Sequence, residues 1–392
     1  MLILLSALLC IIFVFYIIEI HPYLLNKLRR NFYMLQGSVS LPKYQEKVLS
    51  AAVKLSKNET PKMSLADNTF FPIVLVRLIY LKLRKNNRLK NSFPRAFLLN
   101  GIFDYAKNNN RQDLIEHIHK TLYPFVKEIN NGKTKINYID QVSMGMVFMK
   151  MYETTNKVEY KEACDTILDY ILNSIDQKHN LILYRKGEKF HYVDVIGMVC
   201  PFLLFYAKKF NQKDLILLVN HQVKFYMQYG VGKTKLPFHG IELENFMPIG
   251  SSNWGRGLGW YLLGLSAIIS YTSDNDNPEY LFFKQEMDSL FNTLEKCQNN
   301  HYWGQFLGIA KKWDVDTSVS CMLIYSLNLS GYPMDKTEFY KFIKPLTSKN
   351  GLVDFTSGDT EDINLYSRES GFSEFTQGLL LSIFSLPNNK KQ

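Results

Sequence analysis

Trp254-Gly255-Arg256-Gly257-Leu258-Gly259-Trp260 concentrates two tryptophans, three glycines and an arginine in seven residues. Tryptophan offers a flat face on which a sugar stacks, and arginine holds a carboxylate in a bidentate fork. The glycines allow the backbone to pass close to its neighbours. Apolar residues continue beyond the stretch at helical spacing as far as Ile269. The stretch therefore runs into a predicted helix and carries groups suited to carbohydrate.

The same three-and-four spacing recurs outward in both directions. It predicts helices over 44–55, 72–84, 94–107, 111–128, 141–152, 159–175, 195–210 and 213–229. Further helices are predicted over 257–269, 279–297, 317–329, 337–346 and 374–384. Most fall into successive pairs joined by polar or aromatic loops, an all-α arrangement. An α-solenoid gives such a string, but its regular sequence period is missing. A closed double ring of six hairpins fits equally, and periodicity does not show closure.

Two aspartates sit at the predicted helix starts. Asp140 follows Asn137-Tyr138-Ile139, Asp194 follows His191-Tyr192-Val193, and each has a methionine four positions on. Taken singly, either reads as a helix cap. The repeated Tyr-x-Asp pattern suggests two equivalent hairpins presenting carboxylates at one end of the fold.

Residues 1–18, MLILLSALLCIIFVFYII, carry no charge. A run of about 18 such residues approaches the length of a membrane span. The basic Lys27, Arg29 and Arg30 follow it, and no small-residue cleavage pattern does. The expectation is an N-terminal transmembrane anchor over 1–20, a basic juxtamembrane segment over 21–40 and one large domain over 41–392. Positive charge only on the C-terminal side places that domain in the cytoplasm. The five cysteines are scattered, which argues against a disulfide framework or zinc site. His117 and His119 lie two apart on a predicted helix and do not share a face. No metal and no cofactor are expected. The net charge of +10 suits an anionic membrane or an acidic glycan. No recognition helix or aromatic–basic ladder marks a nucleic-acid partner.

Together these motifs resemble the unsaturated glucuronyl and rhamnogalacturonyl hydrolases, two related glycoside hydrolase families. The resemblance runs from about residue 90 to 380. Trp254–Trp260 resembles a Trp-x-Arg-Gly-Asn-Gly-Trp motif, with Leu258 in place of the asparagine. Asp194, with Met198 and Pro201-Phe202 after it, resembles the catalytic aspartate, and Asp140 the second active-site aspartate. His239 resembles a pocket histidine, while Tyr192 stands where tryptophan is common. Asp316-Thr317-Ser318-Val319-Ser320 resembles a Glu-Thr-Ser-x-Ser segment, and Gln377-Gly378 a Gln-Gly pair.

The resemblance implies an (α/α)6 barrel of six helical hairpins, here with the N-terminal transmembrane helix, and an active site in the loops at one end. It implies hydration of the C4–C5 double bond of an unsaturated uronyl oligosaccharide. Asp194 then acts as acid and base. Asp140 adds its charge beside it or holds sugar hydroxyls. Tyr192, His239, Trp254, Arg256 and Trp260 bind the substrate, with Arg256 on the sugar or orienting Asp194. Fold alone does not fix chemistry. The alternatives are a glycan-binding protein of exopolysaccharide or capsule biosynthesis with altered or lost catalysis, and an enzyme for saturated glycans. The expected partners are an oligosaccharide, possibly acidic, and the membrane through the N-terminal helix.

Overall fold

The structure, a computed structural model, describes residues 2–16, 34–35, 37–58, 92–271, 278–298, 302–308, 315–332, 334–360, 362–367 and 370–387. The expected helix over 72–84 and the basic cluster at Lys27, Arg29 and Arg30 lie outside the described residues. The first helix, α1, is Leu2–Phe15. Beyond it, outer and inner helices alternate among the described residues. The first two hairpins pair α2 (Leu41–Ser56) with α3 (Phe93–Asn108), and α4 (Gln112–Asn130) with α6 (Met144–Thr155), the latter preceded by the one-turn α5 (Ile139–Val142). Next come α7 (Val158–Asn173) with α8 (Val193–Phe210), and α9 (Lys213–Tyr229) with α10 (Gly255–Tyr271). The last two pair α11 (Pro278–Cys297) with α12 (Thr317–Leu329), and α13 (Lys336–Ile343) with α14 (Glu374–Ser385).

Burial separates the two rings. In α10, residues 255–269 are buried without a break, and in α14 residues 374–384. A helix covered on every face belongs at the centre of a large fold. In α4 the buried positions are Leu114, Ile115, Ile118, Leu122, Phe125, Val126 and Ile129, a single stripe. That is the signature of an outer helix with one face in solvent.

Each inner helix packs on the next, and α14 packs on α3, so the ring closes. The closing contact is made by backbone. A Cβ added at Gly378 would stand 2.0 Å from the Phe97 carbonyl oxygen, so only glycine fits there. Gln377 completes the clasp. Its Nε2 donates to the carbonyls of Val48 (2.9 Å) and Gly351 (2.8 Å), and its Oε1 accepts from Val353 N. The buried Arg95–Glu374 ion pair, at 2.7 Å, joins α3 to α14 beside it. Asp316 caps α12, accepting from Ser318 N at 2.9 Å and Ser318 Oγ at 2.6 Å. Two of the sequence motifs thus hold the toroid together.

Short antiparallel strands occupy the loops at the N-terminal ends of the inner helices. They are β1 (Ile175–Asp176) with β2 (Leu181–Ile182), the sheet β3 (Phe190–Tyr192), β4 (Gly240–Glu242) and β5 (Pro248–Ile249), and β6 (Thr356–Ser357) with β7 (Ser370–Gly371). Helical periodicity gave no sign of them.

The expected N-terminal transmembrane helix is corrected. Fourteen residues of α1 rise only about 21 Å, short of the roughly 30 Å hydrocarbon core. Among the described residues no helix is long and apolar enough to cross a membrane. The expected membrane partner and single-pass location, with a cytoplasmic domain, fall with it.

Candidate active site

Strand pairing builds the centre of the site. Tyr192, the last residue of β3, pairs with Gly240, the first of β4. Val193 N then donates to the His239 carbonyl at 3.0 Å. This ladder fixes where α8 begins and sets Asp194 in its first turn, opposite His239. Gly250 holds the histidine from behind. It has φ +82°, and an added Cβ would lie 2.6 Å from His239 Cβ. Neither aspartate is an N-cap; those positions belong to Tyr138 and Tyr192. The simple capping reading does not describe them.

The loop end of the ring encloses a cavity of about 300 Å3. Asp140, Tyr192, Asp194, His239, Trp254, Arg256 and Trp260 all line it. Asp194 Oδ2 is buried, accepts no hydrogen bond and lies 3.6 Å from His239 Nε2. That separation is just beyond hydrogen-bond length. On its other edge, His239 Nδ1 meets the Tyr366 hydroxyl at 3.4 Å. When that hydroxyl donates to Nδ1, the ring carries its hydrogen on Nε2, aimed at Asp194. Asp140 is 5% exposed, and its Oδ1 accepts from the Tyr184 hydroxyl. Burial pushes Tyr192 up to about 12, so its hydroxyl stays a neutral donor.

Trp254 and Trp260 are deeply buried and show only part of their rings to the cavity. Trp254 packs on His239 with ring centroids 4.4 Å apart. Trp260 stacks on Phe375 at 5.3 Å. Leu258 is fully buried in the core and is absent from the cavity wall. Its replacement of asparagine therefore removes no polar group from this wall.

Arg256 takes an arrangement the sequence did not suggest. It is buried without an acidic partner among the described residues. Its Nη2 donates to the Gly358 carbonyl at 2.5 Å and to Thr360 Oγ1 at 3.1 Å. Nη1 reaches the Ser357 carbonyl at 3.5 Å. The guanidinium therefore ties down the loop that brings Asp359, Thr360 and Asp362 to the cavity. Arg256→Met is expected to leave those acceptors unpaired and lower stability by about 1–3 kcal/mol. Arg256→Lys keeps one cationic donor and should lose less. Paired thermal melts and kcat/KM values check this; equal loss in both variants counts against the loop-anchoring role.

Sequence reasoning missed Phe93, Tyr184, Arg185, Asp359, Thr360 and Asp362, all in the cavity wall. Most lie on loops, where no periodicity marks function. The one available signal was Tyr184-Arg185, an aromatic–cation pair before the turn at Gly187. His117 and His119 are accounted for elsewhere, by Ser56 Oγ at 2.7 Å and the Tyr160 hydroxyl at 2.9 Å. Among the described residues no group of three or more His, Cys, Asp or Glu could hold a metal ion.

A closed ring of six helical hairpins, with paired aspartates in a cavity among the loops at one end, is the architecture of the toroidal glycoside hydrolases. The sequence profile of Glycosyl Hydrolase Family 88 matches residues 77–342, and the chain belongs to that family. It is a distant member of the wider group of unsaturated glucuronyl and rhamnogalacturonyl hydrolases. No curated protein sequence matches it significantly. Solved structures share the fold. A family 105 glycoside hydrolase from C. acetobutylicum ATCC 824 is 22% identical with a TM-score of 0.63, over 75% of this chain and 92% of that one. A possible member of family 105 from Salmonella enterica serovar Paratyphi A is 14% identical with a TM-score of 0.71, over 90% and 95%. The unsaturated glucuronyl hydrolase of Bacillus sp. GL1 is 11% identical with a TM-score of 0.62, over 86% and 93%.

Proposed function

We propose that the protein hydrolyses unsaturated uronyl oligosaccharides by adding water across the C4–C5 double bond of the terminal sugar. The observation that carries this reading is the pair of aspartates. They come from successive hairpins to one cavity, and a buried oxygen of Asp194 accepts no hydrogen bond from the protein. A carboxyl in that state is available to exchange a proton with substrate and water.

In the proposed sequence Asp194 gives its proton to C4, and positive charge develops at C5 and the ring oxygen. Asp194, now a carboxylate, takes a proton from water as the water oxygen bonds to C5. The resulting hemiketal opens by breaking the bond from C5 to the ring oxygen, and C5 becomes a ketone. C1 is left as a hemiacetal, which expels the rest of the glycan. One water is consumed, and Asp194 ends protonated. His239, held by Tyr366 and Trp254, positions the carboxyl and the water. Asp140, fixed by Tyr184, accepts from sugar hydroxyls. Arg185 is the exposed cation of the wall and pairs with the C5 carboxylate.

The test is turnover of a panel of lyase-generated unsaturated oligosaccharides, followed by loss of absorbance of the conjugated double bond. Release of a 4-deoxy-5-keto uronic acid supports the reading. Glycan binding without turnover by the folded protein rejects it and favours the binding alternative. Arg185→Gln removes a charge-assisted hydrogen bond of about 1.5–3 kcal/mol, so KM is expected to rise roughly ten- to a hundredfold. An unchanged KM removes Arg185 from carboxylate recognition.

A further inference from the structure

The ring has a second axial cavity, of about 270 Å3, at the end away from the loops. Its mouth is built from the second halves of the inner helices, with Lys208, Tyr271 and Tyr325 among its residues. Met198 lines both cavities and stands between them. From Met198 to Lys208 is ten residues of α8, a depth of about 15 Å. The walls between are apolar: Phe97, Phe205, Leu263 and Leu379.

Polar groups sit at its two ends only. At the inner end the Ser143 hydroxyl and the Asn100 side-chain oxygen line the cavity, and both are buried with no hydrogen-bond partner. Ser143 is 4% exposed. Such groups cost stability unless something meets them. At the mouth stand two lysines. Lys150 Nζ donates to Asp104 Oδ1 at 2.6 Å, and Ser382 Oγ holds the other oxygen of that carboxylate at 2.7 Å. Lys208 is exposed and lies over the Tyr271 ring at 5.6 Å. With Asp104 neutralised by Lys150, Lys208 leaves the mouth one positive charge in excess.

We infer that this cavity is a binding site for an amphipathic carboxylate: one medium-length hydrocarbon chain with its anionic group at Lys208 and a hydroxyl at its inner end. The apolar walls remove the chain from water, the main favourable term in burying hydrocarbon. Lys208 supplies the counter-charge, and Ser143 and Asn100 supply the partners for the hydroxyl. This site is independent of the hydrolytic reading.

Isothermal titration of the full chain with 10-hydroxydecanoate and with decanoate tests the inference. Both should bind at one molecule per chain, and the hydroxylated acid roughly fivefold or more tighter, as one buried hydrogen bond provides. Lys208→Glu, at an exposed position, should weaken both about tenfold or more. Ser143→Ala should erase much of the preference for the hydroxyl while leaving decanoate unaffected. Absence of binding overturns the proposal. So does binding unchanged in Lys208→Glu, the result expected of mere adsorption to the exposed apolar surface of α1. Equal affinity for the two acids in the unmodified chain overturns the assignment of the inner end.

Discussion

Asp194→Asn is expected to lower turnover of an unsaturated uronyl oligosaccharide by roughly a thousandfold or more, within the range that a positioned acid–base group contributes. The amide keeps the shape of the side chain but has no carboxyl proton to deliver to C4. The fold should survive, because Asp194 caps no helix and its Oδ2 accepts no hydrogen bond. Substrate affinity should change little, since Arg185 and the aromatic walls remain. Thermal melting, substrate binding and single-turnover rates of the two proteins, run side by side, separate these effects. Near-normal turnover removes Asp194 as the acid. Loss of binding as steep as the loss of rate assigns it to substrate capture instead.

The reach of sequence reading follows from where each feature originates. The helices were legible because three-and-four spacing is a local property. The inner ring was partly legible too, since 257–269 is apolar almost throughout. Closure was not legible in the periodicity and came only through the resemblance, because it rests on contacts such as Arg95 to Glu374, 279 positions apart. The start of α8 was placed two residues late. Its true start is set by the hydrogen bond from Val193 N to the His239 carbonyl, a contact between distant strands. All seven anticipated site residues line one cavity, yet Arg256 serves the loop at Gly358 in a way no motif expressed. Asp359 and Asp362 were invisible for a related reason, and Arg185 showed only as the cation beside Tyr184. A loop residue acquires its role from the elements that carry the loop, not from its neighbours in sequence.

Glu374→Gln is expected to destabilise the toroid by about 3–5 kcal/mol, the usual cost of stranding a buried charge. That is a large part of the roughly 5–15 kcal/mol that holds an ordinary domain folded. Arg95 Nε and Nη2 reach the two carboxylate oxygens at 2.7 and 3.0 Å, both groups buried. The same guanidinium donates to the carbonyls of Ser56 (3.2 Å) and Asn58 (2.9 Å) at the end of α2. One residue therefore gathers α2, α3 and α14 at the seam of the ring. The glutamine preserves volume but leaves the guanidinium without its counter-charge. Removing both charges with Arg95→Met and Glu374→Leu should recover part of the loss, because a buried ion pair replaced by apolar side chains is often near neutral. The recovery stays incomplete while the two carbonyls lack their donor. Urea unfolding of the single and double variants measures the difference. A single variant within about 1 kcal/mol of the unmodified chain would assign the seam to the contact at Gly378 and the Gln377 clasp, since a stranded charge costs several times more. A double variant less stable than the single would mean that the carbonyls of Ser56 and Asn58, not the carboxylate, are the partners that matter.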